Sequence, residues 1–112
     1  MQKENFEIVQ IIGTKNAITH NFGLKVYDVL FPLLQSGVSV NLSFKGIKNV
    51  SSGFCNASIG KLFAEIPSTK ELLSFTDISN SIWQDKISEA IALVSNPDLL
   101  TINDSAISEL FK

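Results

Sequence analysis

Between residues 38 and 66 the spacing of apolar positions changes period once, and that change predicts the organising unit of the chain. Val38, Val40, Leu42 and Phe44 alternate with Ser39, Asn41 and Ser43, the period of two that marks a strand with one buried face. Beyond Lys45-Gly46 the period lengthens. Cys55, Ile59, Leu62, Phe63 and Ile66 recur every three or four residues, which places them on one stripe of a helix. Asn49-Val50-Ser51-Ser52-Gly53-Phe54 joins the two, and a pair of hydroxyls at the start of a helix is the first place to look for chemistry or regulation.

On either side of this unit the pattern continues to alternate between strand and helix. Phe6 to Ile12 is rich in β-branched and aromatic residues and stops at Gly13-Thr14, which predicts a first strand. Leu24, Val29, Leu30, Phe31 and Leu34 predict an amphipathic helix over residues 21–35, closed by Ser36-Gly37. Pro32 inside it removes one backbone hydrogen bond, so a kink near Tyr27 and Asp28 is expected rather than a break. After a turn at Pro67-Ser68-Thr69, residues 71–78 predict a strand with Leu73 and Phe75 on one face. Ser79, Asn80 or Ser81 then caps a helix striped by Trp83, Ile87, Ala90, Ile91 and Val94, which Asn96-Pro97 ends. A last short helix, Ala106 to Phe111, is expected behind Asp104 or Ser105, with Ile107, Leu110 and Phe111 free to dock on the domain. This alternation predicts an α/β fold in which the second and third strands run parallel, with the second helix crossing between them.

Length and composition narrow the function classes. A chain of 112 residues fits one domain, and its 45% hydrophobic content is ordinary for a globular protein. No apolar run approaches the roughly 20 residues of a membrane span, and MQKENFEIVQ has no apolar signal core, so a cytoplasmic protein without membrane association is expected. One cysteine excludes an internal disulfide, and with one histidine it excludes the usual four-ligand zinc site. No metal or cofactor is expected. The net charge is −2, and all nine basic residues are scattered lysines, which argues against a nucleic-acid surface. Without a secretory route, the Asn-x-Ser triplets at Asn41, Asn49, Asn56 and Asn103 reflect composition only.

The run Val40-Asn41-Leu42-Ser43-Phe44-Lys45-Gly46-Ile47, followed by Val50-Ser51-Ser52-Gly53-Phe54 and Ile59-Gly60-Lys61-Leu62-Phe63, resembles the STAS-like domain family of unknown function, relatives of bacterial anti-sigma-factor antagonists. His20-Asn21-Phe22-Gly23 and the strand at Phe75 with its following helix extend the resemblance over most of residues 20–94, and it is strongest over 38–66. It implies a single STAS-like domain over residues 1–112, with a mixed four- or five-stranded sheet, helices packed mainly on one side and a C-terminal helical extension over 97–112. It also implies a non-catalytic module that docks a protein partner, with a histidine-kinase-like ATPase as the expected kind. In the antagonists a Ser-Gly pair at the start of the second helix is phosphorylated, and Ser52-Gly53 matches that pair, with Ser51 beside it as a second candidate phosphoacceptor. The docking surface that follows comprises Gly46, Lys48, Asn49, Ser51, Ser52, Gly53, Phe54 and Asn56. Related patterns carry acids where this chain has Ser43 and Val50.

Other readings of the same residues stand beside this one. Ser51 and Ser52 suit simple helix capping. Cys55 could be a thiolate at a helix N-terminus or, from its alignment with Ile59 and Leu62, a small buried hydrophobe. A ligand-binding domain or enzyme would use Cys55, His20 and the serine turn, but no orienting acid stands at a recognisable spacing. Tyr27 and Trp83 read as packing residues, and Lys45, Lys48 and Lys61 as solvated surface able to attract an acidic partner.

Overall fold

In the structure, a computed structural model that describes residues 3–95, the alternation at residues 38–44 becomes β3 (Ser39–Ser43), the middle strand of a sheet. Its neighbours are β1 (Lys3–Glu7) and β5 (Leu73–Thr76), both parallel to it. Register fixes the two faces. Phe6, Leu42 and Phe75 lie side by side on one face, and Asn5, Asn41 and Ser74 on the other. Val40 and Leu42 are completely buried on the apolar face, where Phe44 just beyond the strand meets Phe75 edge-on and Trp83 at 6.1 Å between ring centres. The polar face is half-wet and satisfies its own groups, since Asn41 Nδ2 donates to Thr76 Oγ1 at 2.9 Å and Ser74 Oγ donates to Asn41 Oδ1 at 3.2 Å.

A three-stranded sheet and a separate strand pair, both parallel, stand where a single four- or five-stranded sheet was expected. The second pair is a two-residue ladder between β2 (Asn16–Ala17) and β4 (Asn49–Val50), separate from the three-stranded sheet. Strands this short carry too few residues to show a period, which is why neither was legible as a pattern. The expected parallel pairing of the central strand with the Phe75 strand is present.

The first predicted strand divides. Only Lys3–Glu7 is extended, and Ile8–Ile12 coils into α1, whose Ile8 and Ile12, one helical turn apart, are both buried. Gly13 closes this helix in the left-handed region at φ 74°, its N–H bonded to the Val9 carbonyl at 2.9 Å, a conformation open to glycine without steric cost. The sequence Ile-Val-Gln-Ile-Ile satisfies both periods, and burial of the i, i+4 pair decides for the helix. The predicted strand over 71–78 shortens in the same way: Thr69–Leu72 forms α5, and only Leu73–Thr76 is extended. Thr69 is buried there, its hydroxyl donating to the Leu62 carbonyl at 3.1 Å.

The other helices fall close to their patterns. α2 (His20–Gln35) runs through the exposed Pro32 without a break and ends at Ser36-Gly37, with Gly37 N–H on the Leu34 carbonyl and Val38 N–H on the Leu33 carbonyl. α6 (Ser81–Ser95) buries Trp83, Ile87 and Ala90, and Asn80 caps its start by accepting from the Ile82 N–H at 2.8 Å. The predicted helix from Ala106 to Phe111 lies outside the described residues.

Between β4 and α5 the chain is helical over residues 52–65, as α3 (Ser52–Cys55), a π turn (Asn56–Gly60) and α4 (Lys61–Glu65). The π register is visible in the Lys61 N–H, which bonds to the Asn56 carbonyl five residues back. Ala57, Ser58, Ile59 and Gly60 are all buried in succession, because α2 packs on one side of the turn and α6 on another. The buried Ser58 hydroxyl is satisfied by the Phe54 carbonyl at 2.7 Å. Close packing here needs small residues. A Cβ on Gly23 of α2 would stand 2.6 Å from the Phe54 carbonyl oxygen and 2.7 Å from the Ala57 Cβ, distances that only a backbone shift could relieve. Across the turn, Gly60 faces Ala90 of α6 at ordinary contact distance.

Gly23→Ala therefore reverses its usual sign. Alanine in a helix interior normally gains up to about 1 kcal/mol over glycine, but here overpacking against backbone costs more, and a net loss of about 2 kcal/mol in urea unfolding is expected. A measured gain in stability would show that the two helices do not approach as closely as described.

Candidate functional site

The serine turn begins at Gly46 and Ile47, where the Ile47 N–H bonds to the Phe44 carbonyl and turns the chain out of β3. The following strand is then clipped to the segment before α2. Lys48 N–H donates to the Lys15 carbonyl at 2.8 Å, Asn49 Nδ2 donates to Asn16 Oδ1 at 2.7 Å, and Ser51 N–H donates to the Ala17 carbonyl at 3.0 Å. Lys86 of α6 fastens the turn from another side by donating its Nζ proton to the Val50 carbonyl at 2.8 Å.

Because β2 and β4 run parallel and in register, the two helices that follow them start side by side. Each start is built alike. Thr19, extended in backbone, accepts the Phe22 N–H on its hydroxyl at 3.1 Å, and Ser51, also extended, accepts the Phe54 N–H at 3.0 Å. The two serines thus have different fates. Ser51 Oγ is the cap, whereas Ser52 is the first helical residue and exposed, and no hydrogen bond among the described residues uses its hydroxyl. His20 occupies the equivalent first position of α2 and is also exposed.

Of the residues read as a docking surface, Gly46, Lys48, Asn49, Ser52, Gly53 and Asn56 are exposed and Ser51 is half-buried. Phe54 is the correction, since it is completely buried and packs in the core cluster, where a partner could not reach its ring. Its place in the i, i+3 pattern with Ser51 is that of a core residue behind a cap. Contributors without a sequence signal include Lys86 and two large apolar residues, Ile18 at 50% exposure and Ile82 at 57%. Ile18 directly follows the β2 residue that pairs with Val50, and Ile82 lies one helical turn before Lys86, so both belong to elements clipped to the serine turn. A lone apolar residue between polar ones carries no period, and only its exposure in the fold singles it out.

The positions where related patterns have acids are occupied differently here. Val50 is buried in the core. Ser43 is buried too, donating its hydroxyl proton to Asp77 Oδ2 at 2.6 Å and accepting the Lys45 N–H at 3.1 Å. Asp77, at φ 60°, thus brings a carboxylate to the C-terminal end of β3 from the loop after β5.

Cys55 is fully buried, and burial pushes its thiol up to about 12, with the Lys86 charge working weakly in the opposite sense. A protonated, enclosed thiol is a poor nucleophile. Among the described residues no hydrogen bond joins it to the exposed His20. Tyr27 ties α2 to α4. Its hydroxyl donates to Glu65 Oε1 at 2.5 Å, Lys61 Nζ stands 4.5 Å over its ring, and the Glu65 hydrogen bond pushes its pKa up to about 12. Lys61 is therefore engaged with Tyr27, while Lys45 and Lys48 remain exposed. Trp83 packs in the core against Phe44, as a packing residue should. Among the described residues no group of three or more His, Cys, Asp or Glu is placed to hold a metal ion, and no helix is long and apolar enough to cross a membrane.

Three measurements follow from this geometry. Ser51→Ala removes a cap and is expected to cost about 1 kcal/mol in denaturant unfolding, whereas Ser52→Ala stays within about 0.5 kcal/mol of the parent; equal losses would contradict the assigned cap. Cys55 should react with a disulfide reagent near pH 8 only as fast as the protein unfolds, and immediately in denaturant. Its raised pKa favours the protonated folded state, so this contribution is complete below about pH 9 and is lost as pH rises towards about 12. Cys55→Ala should remove that part of the alkaline slope.

No curated protein and no solved structure matches the chain. A family match does exist, and it spans residues 23–83, from the glycine of the helix contact through the central strand and serine turn to the tryptophan of α6. That span is more than half of the chain and contains the serine turn from Gly46 to Asn56, so this protein belongs to the family described as STAS-like domain of unknown function (DUF4325).

Proposed function

We propose that this STAS-like domain is a non-catalytic interaction module that docks a protein partner through the surface formed by the serine turn and the start of the following helix. The observation that carries the reading is the division of labour between the two serines. Ser51 holds the helix start together, which leaves the exposed Ser52 hydroxyl available without structural cost. Lys48, Asn49, Gly53 and Asn56 lie on the same exposed stretch, and Ile18 and Ile82 on elements clipped to it add apolar surface of the kind partners bury.

Regulation by phosphorylation of Ser52 fits the same arrangement. A phosphate at the first position of a helix meets free N–H groups and the positive end of the helix dipole, so the fold tolerates the added −1.5 to −2 or so charges. The cap on Ser51 stays intact, and the modification changes the surface rather than the fold. A partner presenting acidic or apolar groups at that spot would be repelled. A histidine-kinase-like ATPase is the partner class that the family resemblance suggests, with the cytoplasm as the compartment. The buried, protonated Cys55 supports a non-enzymatic role.

The test is affinity capture of partners on the parent chain, Ser52→Ala and Ser52→Asp, followed by measured affinities for whichever protein is retained. Ser52→Asp should weaken binding by at least about tenfold, equivalent to about 1.4 kcal/mol, while Ser52→Ala leaves it nearly unchanged. Identical affinities for all three would remove the serine turn from the interface.

A further inference from the structure

The three-stranded sheet ends at β1 on one side and at β5 on the other, and among the described residues no strand pairs with the outer edge of either. Such an edge is a row of backbone donors and acceptors open to another strand. β1 is the more accessible of the two. Its Lys3, Glu4 and Asn5 are exposed and its Phe6 and Glu7 half-buried, whereas β5 buries Leu73, half-buries Ser74 and Phe75, and carries no charge that could select a register.

Charges along an edge usually keep other strands away, and in β1 they disfavour self-pairing in every simple register but one. A parallel copy in register sets Lys3 against Lys3 and Glu7 against Glu7. In an antiparallel pair about a two-fold axis both copies present the same face, so the axis passes through a residue and its own copy. Centred on Glu4, it opposes like charges; centred on Phe6, it sets Asn5 against Glu7 and leaves Lys3 unmatched. Centred on Asn5, it opposes Lys3 to Glu7 twice. Lys3, Asn5 and Glu7 lie on the open polar face in line with Ser39, Asn41 and Ser43, where directly opposed side chains start about 5 Å apart, within reach of an ion pair. In the row through Asn5, the neighbours Asn41 and Ser74 are hydrogen-bonded to each other, while no hydrogen bond among the described residues uses the Asn5 amide. A second Asn5 would continue that row.

We propose that β1 pairs with β1 of a second copy of this chain, antiparallel about a two-fold axis at Asn5, joining the two sheets into one with Lys3 of each chain against Glu7 of the other. The contact closes on itself, because each chain spends its edge once. It uses no residue of the serine turn and does not depend on the docking reading. A five-residue edge is small beside the roughly 1,600 Å² of a standard interface, so the dimer is reversible and forms between about 10 µM and 1 mM. Sedimentation equilibrium of the 112-residue chain should show the mean mass rising over that range to two chains and no further. Lys3→Glu, at an exposed position, should weaken association by at least about tenfold. Glu7→Lys should do the same, and an equimolar mixture of the two variants should associate nearly as well as the parent, because the mixed pair restores both opposite-charge contacts. Since Glu7 is half-buried and its variant can fail to fold, Asn5→Cys gives a second measurement: mild oxidation should link two chains through this position, and Lys3→Cys, which the axis holds apart from its copy, should not link. A single chain at every concentration overturns the proposal, as does association indifferent to Lys3→Glu or equal crosslinking by the two cysteine variants. Growth beyond two chains overturns it too, since it would assign the contact to β1 against β5, which does not close.

Discussion

The backbone of α2 meets the backbone of the π turn at Gly23, and the position of everything near the serine turn follows from how close that approach is. Ala57 and the Phe54 carbonyl fill the space a side chain at 23 would need, and on the far side Gly60 admits Ala90 of α6. Three helical segments are therefore stacked by their smallest residues, and the larger ones, Ile59, Leu62, Val26 and Leu30, fill the core around them. The extra residue of the π turn fits this arrangement, because it lets four consecutive positions be buried where a regular helix would turn one of them out to solvent. The first turn of α3 inherits its place from this stack: Phe54 is locked in the core, and the residues immediately before it are left at the surface.

The serine turn is consequently a rigid feature. Its strand is hydrogen-bonded to the segment before α2, its carbonyl at Val50 is held by Lys86, and its helix start is capped by its own Ser51. Two helix starts with the same cap chemistry, one behind Thr19 and one behind Ser51, face the same rim. Each presents free N–H groups, and together they form a surface whose backbone dipoles point outward at one place. Such a surface depends on the two-residue ladder between β2 and β4, the smallest pieces of secondary structure in the fold.

Long elements with a single clear period were legible from the sequence. β3, α2, α6 and the helical stretch from 52 onward follow their apolar spacing, and the family resemblance rests on that same stretch. The errors arose where one apolar run satisfied two periods. Ile8 and Ile12 sit equally well on a strand or on one helical turn, and the residues before Leu73 coil because Thr69 finds a buried acceptor at the Leu62 carbonyl. β2 and β4 have no local signal at all, since their pairing is decided by backbone groups that Asn16 and Asn49 share with neighbours distant in sequence. At the site, Ser51 and Ser52 could be located but not told apart, because a cap is defined by which hydroxyl meets the N–H three residues on, and both candidates stood at plausible positions. Phe54 was misplaced for the same reason: being next to the serines in sequence says nothing about which side of the helix a ring occupies.

The parallel register of the three-stranded sheet has a consequence for how the molecule assembles. β3 pairs with β1 on one side and β5 on the other, and each pairing closes a loop of about 35 residues, so no two strands of this sheet can meet as a simple hairpin. The sheet must wait for the helices between its strands. Early in folding the contacts at hand are local ones within α2 and within residues 52–65, and the edges of β1 and β5 stay unpaired until those helices have docked. Conditions that slow the docking of helices would thus lengthen the time for which bare strand edges are exposed, and the polar side chains along the open face, among them Asn5, Asn41 and Thr76, are the residues that discourage sheet-on-sheet association during that interval.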